Sequence, residues 1–326
     1  ECRGRVEWAR VASRVWGATT RARLRGCDEA CDDAPNFMNS EDPKMEDFTL
    51  RAPDGIDLYV RKFEPEGAPR AAVQIQHGLA EHGARYERFA RELTKRGYVV
   101  YVPDGRASGK TAAGKYGDWG ADGWAGWVND MHLLNVHISQ DYPDLHIALF
   151  GHSLGSFGAQ HFLLDHSDEV DAAILSGTTD VGSFVQALAG DEPADLSAFN
   201  APFGNRTGYE WLSRDEAEVD KYVADPACGW AAPMPADLLD AAVASDLERV
   251  GEIRKDLPIM LVSGSKDPVG GNEAEGVVAV AERYKAVGIE DVEVKIYPEA
   301  RHELLNETNR DEVTADIIAF LDRTVG

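Results

Sequence analysis

Six short apolar runs recur between Ala71 and Pro298, and almost every one is followed by a stretch with helical spacing. The runs are "AAVQIQH", "YVVYV", "LHIALF", "VDAAILSG", "LPIMLVSG" and "DVEVKIYP". Strands that are apolar throughout are buried on both faces, and alternation with helices makes the sheet mainly parallel, with helices on both sides. Two further runs, "EDFTLRA" and "IDLYVRKF", alternate apolar and polar residues around the turn "PDG" and read as an antiparallel hairpin at the start of the sheet. The expected fold is α/β, an eight-stranded, mostly parallel sheet. From about 178 to 254 the alternation stops and the chain is helical and aromatic, too long for an ordinary connection. An insert after the sixth strand of an open α/β sheet lies over the carboxyl edge, where ligands bind, so it is read as a helical cap.

With 326 residues and 44% hydrophobic content, the chain can bury a large core without a disulfide or metal staple. A net charge of −24 disfavours nucleic acid and anionic membranes as partners. Nothing approaches 18 consecutive apolar residues, so no stable membrane insertion is expected. Cys2, Cys27, Cys31 and Cys228 make neither a disulfide framework nor a zinc set; a cytoplasmic protein is expected, with Cys228 a small packed residue of the cap. Residues 1–44 differ from the rest. Their first 26 carry seven Arg against two Glu, followed by an acidic, turn-rich stretch. They read as a disordered extension outside the domain at 45–326, with an amphipathic targeting or membrane-surface helix as the alternative.

"GHSLGS", Gly151 to Ser156, closes one strand and opens a helix. In that setting G-x-S-x-G is a nucleophile elbow, with Ser153 on a sharp turn at a helix N-terminus. Its hydroxyl needs a base, and the base an orienting acid, expected in the order serine, acid, histidine. Asp267, in "SGSKDP", and His302, in "EARHELLNE", each stand just past a strand end on the same sheet edge. Asp180, also past a strand end, is the second candidate acid. Oxyanion donors are expected from the backbone N–H of Leu154 and, in "HGLAEHG" after the third strand, that of Leu79. His77 is read as ordering that loop by a hydrogen bond, since no second metal ligand stands at ligand spacing.

"DGRASGKT", Asp104 to Thr111, invites a nucleotide-binding reading. A phosphate loop needs G-x-x-x-x-G-K-[ST], and its first glycine would fall at Asp104, a carboxylate. The run follows the apolar stretch "YVVYV" and so sits at the end of a strand. Ala107 would be strained if its φ is positive, and Lys110 has no assigned role.

The marks "HGLAEHGARYERFA", "GHSLGS", "SGSKDP" and "ARHELLNE" resemble the α/β-hydrolase fold in its monoacylglycerol lipase and lysophospholipase-like branch, within the serine aminopeptidase S33 superfamily, over about 45–326. "WLSRDEAEVDKYVADPACG" resembles the cap of bacterial members. In that family the loop matching "DGRASGKT" is commonly D-x-R-G-x-G-x-S; Ala107 and Thr111 depart from it, and the resemblance implies a structural loop that braces the catalytic edge. The resemblance implies Ser153 as nucleophile, His302 as base, Asp267 as orienting acid, and Leu79 and Leu154 as oxyanion donors. It further implies hydrolysis of small-molecule carboxylic esters, acyl-glycerols or lysolipids, with neither cofactor nor metal. Phe184, Val185, Leu188, Phe203, Trp211, Leu212 and Trp230 would line an acyl-chain tunnel or form the cap's own core. The rival readings are a peptidase or amidase on the same triad, a non-catalytic binding protein of this fold, and an acyltransferase.

Overall fold

A computed structural model describes residues 44–188, 196–231 and 234–326, without the side chains of 187 and 188. The expected extension at 1–44 therefore lies, Lys44 excepted, outside the described residues. Strands β1 (Met45–Arg51) and β2 (Asp57–Phe63) pair antiparallel, Met45 opposite Phe63 and Arg51 opposite Asp57. Then come β3 (Ala71–Gln76), β4 (Tyr98–Pro103), β5 (Ile147–His152), β6 (Ala172–Ser176), β7 (Ile259–Gly264) and β8 (Val292–Tyr297). They form one eight-stranded sheet in the order β1-β2-β4-β3-β5-β6-β7-β8. Only the β1–β2 and β2–β4 pairings are antiparallel.

Helices α1 (Glu87–Thr94), α2 (Gly109–Ala112), α3 (Gly123–Asp141) and α4 (Leu154–His166) precede β6. Helices α5 (Val181–Leu188), α6 (Glu216–Ala224) and α7 (Leu247–Val250) lie between β6 and β7. Helices α8 (Glu275–Ala286) and α9 (Arg310–Thr324) follow β7 and β8. The two-residue period of the strands sends alternate side chains to opposite faces. Val73, Ile75, Val100 and Val102 join Phe89 and Leu93 of α1 and Ile317 and Phe320 of α9 on one face. Ala72, Val99 and Tyr101 join Trp124 and Trp127 of α3 and Phe157 and Phe162 of α4 on the other. Because both faces are covered, β3, β4, β5 and β7 are buried along their whole length.

Two elements differ from the sequence expectation. The stretch with helical spacing after β3, "ARYERFARELTKRG", opens as a 3-10 turn at Gly83–Tyr86, where Asp104 holds the Gly83 N–H at 2.8 Å. Within the stretch at about 178–254 read as helical, "ADLLDAAVASDLERV" forms not one α-helix but a 3-10 run, Leu238–Ser245, that ends at Asp246. Asp246 is extended and caps α7 by accepting from Glu248 and Arg249 N–H, so one helix cannot run through it. Among the described residues no helix is long and apolar enough to cross a membrane.

The "DGRASGKT" loop is built around a buried carboxylate. Asp104 accepts from Arg61 at 2.6 Å and from the N–H groups of Gly83 and Lys110 at 2.8 and 2.7 Å. Ala107 does adopt positive φ, +71°. Lys110 has a role that the sequence did not suggest: its ammonium donates to the Tyr59 hydroxyl at 2.6 Å and lies over that ring. Ala107→Gly would relieve about 1–2 kcal/mol of left-handed strain. It would also lose a buried methyl worth about 0.8 kcal/mol and add roughly 0.5–1 kcal/mol of unfolded-state entropy. The terms nearly cancel, so the unfolding midpoint should move by no more than a few degrees; a large change in either direction would contradict this balance.

Candidate active site

Ser153 sits between β5 and α4 with φ 52° and ψ −124°, a conformation that a non-glycine residue adopts only when its surroundings enforce it. The Ser153 N–H donates to Ser176 O at 2.9 Å, and the Ser153 carbonyl accepts from Ser156 N–H at 2.8 Å. Gly155 lets α4 start against β3. A Cβ there would lie 2.4 Å from Gln76 O and 2.5 Å from His77 O, both backbone. Gly155→Ala must displace the strand end that leads to Leu79, at a cost of about 1–3 kcal/mol or more. Urea unfolding should show that loss together with reduced turnover; unchanged stability would mean that this contact is not needed.

His302 follows β8 and Asp267 follows β7, and the two meet. The His302 Nδ1 donates at 2.9 Å to both oxygens of Asp267. Both side chains are buried, and Asp267 Oδ1 also accepts the Val269 N–H at 2.9 Å. Burial alone would lower the imidazole pKa, but the Asp267 charge and hydrogen bond prevail and hold it above the ordinary 6.5. Asp180 is elsewhere: it accepts from Ser245 Oγ at 2.6 Å and Arg283 at 2.7 Å. Of the two candidate acids, Asp267 is the one beside His302. No hydrogen bond among the described residues joins Ser153 Oγ to the imidazole, a contact that is commonly loose in unliganded sites. The two side chains line the same cavity.

The loop after β3 comes up against Ser153. A Cβ on Gly78 would stand 2.9 Å from Ser153 Cβ and 2.9 Å from Glu81 Oε1, so only glycine fits without displacement. Leu79 and Leu154 both line the cavity with Ser153. Neither backbone N–H finds an acceptor among the described residues. His77 is a brace. Its Nε2 accepts the Gly105 N–H at 2.8 Å, which leaves the proton on Nδ1, 2.7 Å from Gly78 O. Burial pushes its pKa down, consistent with a neutral ring.

The cavity opens to solvent, and Phe157, Phe184, Leu196, Phe199, Trp211 and Leu212 give it apolar walls. Of the aromatic and aliphatic residues named from the sequence, Phe184, Trp211 and Leu212 line it. Val185 is in the core, Phe203 lies beneath the Arg301 guanidinium, and Trp230 stacks on Tyr116. Leu188's side chain lies outside the described residues. Trp211 covers the His302 ring at 4.9 Å between centroids. The His152 ring lies 4.7 Å from that of His302 between centroids, and burial with the nearby His302 lowers its pKa to about 4, so it stays neutral. Cys228 is buried and free.

Glu303, Glu81 and Arg85 were not singled out by sequence reasoning, although all three lie within quoted motifs. Arg85 bridges Glu81 at 2.7 Å and Glu303 at 2.5 and 2.7 Å. Burial opposes the ionisation of Glu81, but Arg85 and the neighbouring histidines bring its pKa to about 2.

A parallel sheet that carries a strained serine at one strand-to-helix turn, with an acid and a histidine beyond later strands, is the arrangement of the α/β-hydrolases. Residues 67–309 match the model of the family described as serine aminopeptidase, S33, and the chain belongs to that family. It is 28% identical over 285 residues to a monoacylglycerol lipase of Mycolicibacterium smegmatis, covering 82% of this chain and 95% of that one. A mouse monoglyceride lipase is 29% identical over 278 residues, with 81% and 85% covered. The crystal structure of a highly thermostable carboxyl esterase from Bacillus coagulans, in complex with glycerol, superposes with a TM-score of 0.76 at 28% identity, covering 86% of this chain and 99% of that one.

Proposed function

We propose that the chain is a lipase or esterase that cleaves small lipid esters through an acyl-enzyme, with Ser153 as nucleophile, His302 as base and Asp267 as the acid that orients it. The observation that carries this reading is that His302, paired with the buried Asp267, lines the same cavity as the strained Ser153. In the first half-reaction His302 takes the Ser153 proton as Oγ attacks the ester carbonyl. The Leu79 and Leu154 N–H groups would stabilise the oxyanion, and the alcohol leaves with the proton from His302. In the second half, water attacks the acyl-enzyme with the same base and releases the acid.

The segment between β6 and β7 acts as the cap, and its Phe184, Leu196, Phe199 and Trp211 suit an acyl chain better than a charged peptide terminus. The similarity to monoacylglycerol lipases points the same way. A panel of p-nitrophenyl esters from acetate to palmitate should therefore show a chain-length optimum, and a monoacylglycerol should be hydrolysed far faster than a prolyl-naphthylamide. Flat activity along the series would remove the acyl-selecting role of the cap. Preference for the prolyl amide would favour the peptidase reading.

A further inference from the structure

We propose that Arg85 is a positioning residue that ties the oxyanion-forming loop to the base-bearing loop, through Glu81 on one side and Glu303 on the other. The proposal rests on the assignment of Ser153, His302 and Leu79 above. One oxygen of Glu81, Oε1, accepts the Gly78 N–H at 2.6 Å and the Tyr86 hydroxyl at 2.8 Å. It thereby fixes the residue immediately before Leu79. The other oxygen takes Arg85 Nη1 at 2.7 Å. The same guanidinium makes a two-pronged contact with Glu303, the residue after His302. A continuous path of charge-assisted hydrogen bonds thus runs from the Leu79 loop to the His302 loop. The Tyr222 ring lies beside the guanidinium, and its hydroxyl donates to Ala80 O at 3.0 Å, so the cap segment closes on the same path.

The three charged side chains are 12%, 4% and 6% exposed. Buried ion pairs of this kind seldom add stability over apolar packing of equal volume, whereas bidentate guanidinium–carboxylate contacts fix geometry closely. A displacement of about 1 Å at a reacting group can lower turnover by roughly a hundredfold. The charged and titratable groups around His302 are Asp267 beyond β7, the neutral His152 at the end of β5, Glu81 beyond β3 and Glu303 beside it. Both glutamates favour the imidazolium, and Arg85 offsets them.

The two charge removals therefore act on His302 in opposite directions. Arg85→Gln leaves two carboxylates uncompensated, so the acidic limb of the kcat/KM profile should move to higher pH. Glu303→Gln keeps the side-chain shape and removes one carboxylate, so the limb should move to lower pH. Arg85→Gln should also reduce kcat about ten- to a hundredfold while KM stays within about threefold. The double variant should lose less than the product of the two single losses, because no buried charge of the pair is left alone. The assay uses the full chain with p-nitrophenyl butyrate, beside fluorophosphonate labelling of Ser153. If Ser153 is labelled and required, yet both single variants keep kcat within twofold and the limb in place, the proposal is wrong and the triad stands. If Ser153 is neither labelled nor required, the triad itself falls. Should Arg85→Gln fail to fold, the near-isosteric Glu303→Gln decides by the direction of its limb.

Discussion

Ser153→Ala is expected to lower kcat by about 10⁶-fold, because the proposed nucleophile and its base would act as a unit, and removing either abolishes nearly all of their joint contribution. The backbone at this position is already strained, and alanine tolerates the same φ of 52° no worse than serine does. The hydroxyl donates no hydrogen bond among the described residues, so alanine leaves no protein acceptor without its partner. The variant should therefore fold like the parent, and the loss should be chemical. Steady-state ester hydrolysis beside a thermal melt checks both parts. Turnover within tenfold of the parent, in protein free of contaminating esterase, would show that the chemistry lies elsewhere.

Asp267→Asn is expected to cost about 10⁴-fold in kcat, since an amide facing Nδ1 favours the wrong tautomer of the base. Asp180→Asn, at the other candidate acid, should change turnover by no more than a few-fold, because Asp180 is engaged by Ser245 and Arg283. The pH profile carries a second test. As the proposed base, His302 must be neutral to accept the serine proton, so kcat/KM should rise with pH through an apparent pKa above the ordinary 6.5. Asp267 is what raises that value, whereas burial lowers it. The residual activity of Asp267→Asn should therefore show its acidic limb at lower pH than the parent. A limb below 6.5 in the parent, or one that the substitution leaves unmoved, would contradict the electrostatic account. Equal losses at Asp267 and Asp180 would contradict the geometric one.

The strands were legible because each is a short apolar or alternating run, and β3 to β7 are buried on both faces, patterns that need no tertiary knowledge. Ser153, Asp267 and His302 stood out because each follows such a run, and strand ends on one sheet edge converge whatever the helices do. The pairing of Arg85 with Glu303 was not legible. The partners are 218 positions apart, and nothing local marks a surface-type glutamate as buried. Nor could the sequence sort the aromatics of the insert. Phe184 and Trp211 face the cavity while Trp230 stacks on Tyr116, and that depends on how the insert folds back. The 3-10 run at Leu238–Ser245 shows a third limit, since its composition suits an α-helix and Asp246 ends it by capping α7. Lys110 had looked incidental beside a failed phosphate motif, and its partner Tyr59 comes from a distant strand.

The most direct measurement is to react the active protein with a fluorophosphonate and locate the adduct by peptide mass spectrometry. The account expects one stoichiometric adduct, on Ser153, with loss of ester hydrolysis in step with labelling and no labelling in Ser153→Ala. An adduct on another residue, or full activity remaining after Ser153 is modified, would contradict it.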